Sequence, residues 1–105
     1  MKNHLSETDV AVRFSNNELA FKGALSQETV EAALAQSKKL IPSKQSIVVN
    51  FAEVSYCDSA SLALITALIR FCSSIQTKMQ LLNLPKEMLD LAKVSGLNGL
   101  LSLTI

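Results

Sequence analysis

Ile47-Val48-Val49-Asn50-Phe51-Ala52-Glu53-Val54-Ser55-Tyr56-Cys57-Asp58-Ser59-Ala60-Ser61-Leu62 decides the fold of this chain. Its first five residues are a short, β-branched, nearly continuous apolar run, as expected of a central strand covered on at least one face. A loop is expected over Ala52–Cys57. From about Ser59 to Ile75 the apolar spacing becomes helical. Leu64, Leu68, Phe71 and Ile75 form one stripe, and Leu62, Ile65, Ile69 and Cys72 an adjacent one. So wide an apolar arc predicts a helix packed on a sheet and on a further helix or a partner. Asp58 and Ser59 stand at the helix mouth, where either side chain can accept a bond from an orphan first-turn N–H. The same polar residues can instead present a contact or a modification site.

Upstream, Val10–Phe14 and Leu19–Gly23 alternate at period two around Asn16-Asn17, which reads as a hairpin. Ser26 is placed to open a helix, with Leu25 and Val30 at the staple positions that flank a cap. Glu28 and Glu31 sit early in this helix and Lys38 and Lys39 late, as its dipole prefers. Pro42 ends it. Downstream, Met79–Leu84 reads as a strand. Pro85 suits a first helical turn, and Gly96 suits the end of that helix. Leu100–Ile105 reads as an edge strand. The expected order is β-β-α-β-α-β-α-β, a mostly parallel α/β sheet with helices packed over it. Residues 1–9 are expected to be a flexible tail and 10–105 one domain.

Composition narrows the function. The chain has 105 residues and a formal net charge of +1. Lys38, Lys39 and Lys44 are the nearest thing to a basic cluster and read as a solvated helix end. Nucleic-acid binding is not expected. Aromatic residues make up only 5% of the chain, which argues against a base-stacking platform. The polar start, Met1 to Asp9, is unlike a signal peptide, and no run reaches the length of a membrane span. Cys57 and Cys72 lack metal or redox spacing and read as free thiols in a reducing compartment. The single histidine, His4, lies in the tail, so a histidine-based nucleophile is not expected. No phosphate-cradling glycine motif occurs. The three glycines, Gly23, Gly96 and Gly99, each read as a turn or cap. Glu53 and Asp58 flank the junction, and solvation and capping are their simplest roles. No enzyme, metal or cofactor is expected.

Phe51 to Leu64 resembles the signature of STAS domains, in which an apolar strand leads through a short loop into Asp-Ser/Thr-x-Gly-Leu and a helix. The resemblance in element order covers about residues 10–105. It implies the STAS fold and a protein-binding role. In the anti-sigma-factor antagonist branch, a partner kinase phosphorylates a Ser or Thr at the third motif position. Here that position is Ala60. In the MlaB-like branch the second position is Thr or Ser, the third is small, and Gly-Leu-Ala-Leu follows. Ser59, Ala60 and Leu62-Ala63-Leu64 match, while Ser61 replaces the usual Gly. This branch implies a non-enzymatic subunit, cytoplasmic and peripheral to the inner membrane. It would bind the ATPase of a Mla-type ABC phospholipid transporter that maintains outer-membrane lipid asymmetry, without inserting in the membrane. The contact would comprise Tyr56, Asp58, Ser59, Ala60 and Ser61. The alternative is an antagonist regulated by phosphorylation at Ser59 or Ser61. A small-ligand site between sheet and helices is a third reading, for which the chain offers no phosphate cradle.

Overall fold

A computed structural model describes residues 9–97 and residue 99. Within them the order is β1 (Val10–Ser15), β2 (Glu18–Leu25), α1 (Val30–Leu40), β3 (Ser46–Cys57), α2 (Ala60–Ser74), β4 (Lys78–Leu82) and α3 (Lys86–Val94). The tail expected before residue 9 and the strand expected over 100–105 lie outside the described residues. Asp9 itself is tied to the sheet, because its carbonyl accepts from the Ala24 N–H at 2.9 Å.

The strands form one sheet in the order β1-β2-β3-β4, with β1 antiparallel to β2 and the other pairs parallel. The hairpin turn has Asn16 and Asn17 at φ 51° and 58°. Positive φ at two successive residues is the I′ geometry whose twist matches two-residue hairpins, and asparagine tolerates it. Register then sorts the side chains. Val12 lies opposite Phe21, Leu19 beside Val49, and Val49 beside Leu81, so these share the covered face. Arg13, Ala20, Asn50 and Leu82 share the other. Phe21 and Phe51 meet at 5.7 Å between ring centroids in the core beneath the helices. Such a pair adds about 0.5–1.5 kcal/mol beyond the area it buries.

The helix α2 matches its expected span to within a residue. Leu62, Leu64, Ile65, Leu68 and Cys72 are buried, while Ile69, Phe71 and Ile75 are half-buried. Its wide arc is used by the sheet and by α1 and α3, which both pack against it. At the end of α3, the Leu97 N–H donates to the Ala92 carbonyl and the Gly96 N–H to Lys93, with Gly96 at φ +73°. This is a Schellman ending, and Gly96 is the C′ residue it needs.

Three expectations change. Regular α1 begins at Val30, not at Ser26. The segment between is a turn in which the Thr29 hydroxyl accepts from the Ser26 N–H at 2.8 Å and donates to the Ala24 carbonyl at 2.7 Å. The loop expected at Ala52–Cys57 is strand. It pairs with the second half of β2, Lys22 beside Glu53 and Leu25 beside Cys57, through two register shifts. Bulges break the period-two pattern, which is why the sequence reads as loop there. Gly23, expected in a turn or cap, lies inside β2 beside one of these shifts, at φ +104°.

Candidate functional site

The extension of β3 carries the chain to the mouth of α2. Asp58 organises the junction. Its Oδ1 accepts from the Ala60 N–H at 2.9 Å, its Oδ2 from the Gln27 N–H at 3.3 Å, and its own N–H donates to the Leu25 carbonyl at 3.3 Å. The carboxylate therefore caps α2 and ties it to the turn that leads into α1. A negative side chain there also meets the positive end of the helix dipole.

Ser59, expected to share the cap, does not. Its backbone is already helical (φ −63°, ψ −18°), and its hydroxyl makes no capping bond. It acts as the first helical residue after the Asp58 cap, and its exposed hydroxyl has no partner among the described residues. Ser61, expected on the contact surface, is fully buried. Its Oγ donates to the Asp58 carbonyl at 2.8 Å. A hydroxyl where the family motif has Gly is thus accommodated by turning inward onto the cap. Ala60 is half-buried, and Tyr56 is 39% exposed. The residues from the predicted contact that face outward are Tyr56, Asp58 and Ser59.

The structure adds α3 to this surface. Ser59 borders a hollow of about 570 Å³ whose other walls are Cys57, Asp58, Glu87, Asp90, Leu91 and Val94. Val94 is 88% exposed, the most exposed large apolar side chain described. A smaller recess of about 280 Å³ adjoins it between Tyr56, Cys57, Pro85 and Glu87. Sequence reasoning left α3 out of this surface because its residues lie some thirty positions downstream of the motif. The exposed Val94 breaks the helix's amphipathic pattern and was the available signal.

Three carboxylates, Asp58, Glu87 and Asp90, border the hollow, and Asp90 is paired with Lys86. Burial raises the Cys57 thiol pKa above its ordinary value, and the charges of Glu87 and Asp58 push the same way, against a lowering hydrogen bond from Ser61. Asp90 is held below its usual range by a hydrogen bond from Lys86 at 2.9 Å. A neutral partner group can bond Ser59 there, whereas an added anion meets three carboxylates. Among the described residues no cluster of His, Cys, Asp or Glu is arranged to hold a metal ion. None of their helices is long and apolar enough to cross a membrane.

An α/β domain that presents a free serine beside a capped helix mouth, over an exposed apolar rim, has the form of a protein-docking module. A family model described as "Mlab, STAS domain" matches residues 10–103. The chain belongs to the STAS-domain family. Solved structures that match include the anti-sigma factor antagonist SpoIIAA in its unphosphorylated form. The identity is 17%, over 87% of this chain and 84% of that one, with a TM-score of 0.63. That likeness shows the shared fold. No curated protein matches the sequence.

Proposed function

We propose that this STAS domain is a non-enzymatic, cytoplasmic accessory subunit that docks on the ATPase of an ABC phospholipid transporter of the Mla type. By that association it would sit at the inner membrane without entering it. Ser59 is the centre of the contact, with Tyr56 and Asp58 on one side and Val94 on the other. The carrying observation is the exposed Ser59 hydroxyl, without a partner among the described residues and bordered by Asp58, Glu87 and Asp90. A phosphate on Ser59 would gain from the α2 dipole but face Asp58, Glu87 and Asp90. Ser61 is buried and already bonded. These features favour constitutive docking over the phosphorylation switch of an anti-sigma-factor antagonist.

Co-expression with the ATPase of such a transporter should give a complex that survives gel filtration. Ser59→Arg should weaken it while leaving the thermal midpoint of the free domain unchanged. Undiminished binding by S59R would remove Ser59 from the interface. A Ser59 phosphopeptide formed with an anti-sigma kinase would favour the antagonist reading.

A further inference from the structure

The end of the domain opposite Ser59 gathers cations from separate parts of the chain. Lys38 and Lys39 close α1, Lys44 lies in the following loop, Arg70 is in the last turns of α2, and Lys78 opens β4. Backbone bonds fasten these segments together. The Lys44 N–H donates to the Ile75 carbonyl at 3.0 Å, and the Lys78 N–H to Gln45 at 2.8 Å. No Asp or Glu occurs between Glu31 and Glu53, nor between Asp58 and Glu87. The two ion pairs among the described residues, Arg13–Glu53 and Lys86–Asp90, leave all five cations without a carboxylate partner. From this end a groove of about 610 Å³ runs between α1 and α2, lined by Lys38, Ala63, Thr66, Ala67, Arg70 and Phe71. Its floor is small and largely apolar. Lys38 Nζ lies 5.7 Å from the centre of the Phe71 ring, which holds one charge at the rim.

We propose that this groove is a second docking site and that it takes an acidic, amphipathic helical segment of a protein partner. The small residues at Ala63 and Ala67 let a helix approach closely. Lys38 and Arg70 supply the complement to carboxylates spaced a turn apart. A flat anionic membrane fits less well, because interfacial binding needs an exposed apolar face and Leu40, 40% exposed, is the large apolar side chain offered beside the cations. The inference rests on reading the domain as a protein-docking module, but its charged groups, Lys38 and Arg70, lie at the end of α1 and in the last turns of α2, while only Ala63 at the groove's other end comes within a turn of Ser59.

The test is fluorescence anisotropy with a labelled synthetic helical peptide that carries Glu at i, i+4 spacing opposite an Ala/Leu face. Its Lys-for-Glu counterpart and phosphatidylglycerol vesicles serve as the other probes. The acidic peptide should bind and weaken as salt rises, and the basic one should not bind. K38E/R70E should reduce affinity at least about fivefold, and K38A/R70A by less, since two exposed charge contacts are removed in one and reversed in the other. S59A, which adds no bulk or charge near Ala63, should leave peptide binding unchanged, which separates this site from the Ser59 contact. Failure of the acidic peptide to bind, binding indifferent to K38E/R70E, or binding by vesicles alone would overturn the proposal.

Discussion

Asp58→Ala isolates the residue that builds the junction. The substitution removes two acceptors. The Oδ1 bond to the Ala60 N–H is short and part-buried, and a lost cap of this kind costs about 1 kcal/mol. The Oδ2 bond to the Gln27 N–H is long, at 3.3 Å, and exposed, so it stands at the low end, about 0.5 kcal/mol. The expected loss is about 1.5 kcal/mol, or ~6 to 8 °C in thermal midpoint for a domain of this size. Asp58→Asn keeps an oxygen for Ala60 but turns an amide N–H toward the Gln27 donor, so it should lose about half as much. Ser59→Ala should stay within about 0.5 kcal/mol of the parent, because its hydroxyl bonds none of the described residues. Urea titration at pH 7 with a fixed m-value measures all three. Equal destabilisation by D58A and S59A would refute the assignment of the cap to Asp58. A silent D58A would refute the assignment of any stabilising role to the carboxylate.

Ser61→Ala should cost about 1 kcal/mol by urea titration, because it deletes the buried bond to the Asp58 carbonyl, which keeps the Ser61 N–H at 3.0 Å. Gly96→Ala should cost roughly 1 kcal/mol from φ +73° alone, since an added Cβ meets nothing within 4 Å, and hydrogen exchange should quicken in the last turn of α3. Stability should also fall with alkaline pH through the thiols. Cys57 and Cys72 have folded pKa values raised above the ordinary value, mainly by burial. The unfolded chain therefore releases these protons first as pH rises. The stabilisation is full below the ordinary thiol value of about 8.5 and is lost as pH climbs through the raised folded values. The urea midpoint should drop as pH rises above the ordinary thiol value of about 8.5 in the parent and drop less in C57A/C72A.

What the sequence disclosed follows from how local the governing physics is. Strands β1 and β4, the first half of β3 and helices α2 and α3 announce themselves by periodicity and by end signals such as Pro85 and Gly96, and Pro42 marks the end of α1. Residues 52–57 did not, because their strand exists through pairing with β2 across two bulges, and a bulge erases the alternation that marks a strand. The division of labour at Asp58-Ser59-Ala60-Ser61 was equally hidden. Three of the four have polar side chains that look interchangeable as caps. Only the backbone angles and the inward turn of Ser61 assign the cap to one, the surface to another and the core to a third.

The charge arrangement extends this argument to partners. With a net charge of +1 the chain looks electrostatically bland, yet Lys38, Lys39, Lys44, Arg70 and Lys78 gather at one end and Glu28, Glu31, Asp58, Glu87 and Asp90 at the other, where Lys86 pairs with Asp90. The cause is topological. In parallel β-α-β units, helices on one layer run the same way, so their beginnings share one pole and their ends the other. Residues that favour helix starts and ends then sum across α1 and α2 instead of cancelling. Glu28, Glu31 and Asp58 collect at the Ser59 pole, to which α3 adds Glu87 and Asp90. Lys38, Lys39 and Arg70 collect at the far pole, joined by Lys44 and Lys78. A partner approaching Ser59 therefore meets a negative field around a neutral hydroxyl. On the proposed docking, that field would disfavour phosphorylation and would orient a positively charged or hydrogen-bond-donating partner surface. The far pole is left with an unneutralised surplus of the opposite sign. One domain can thereby discriminate two neighbours by charge, one at each end of the same pair of helices.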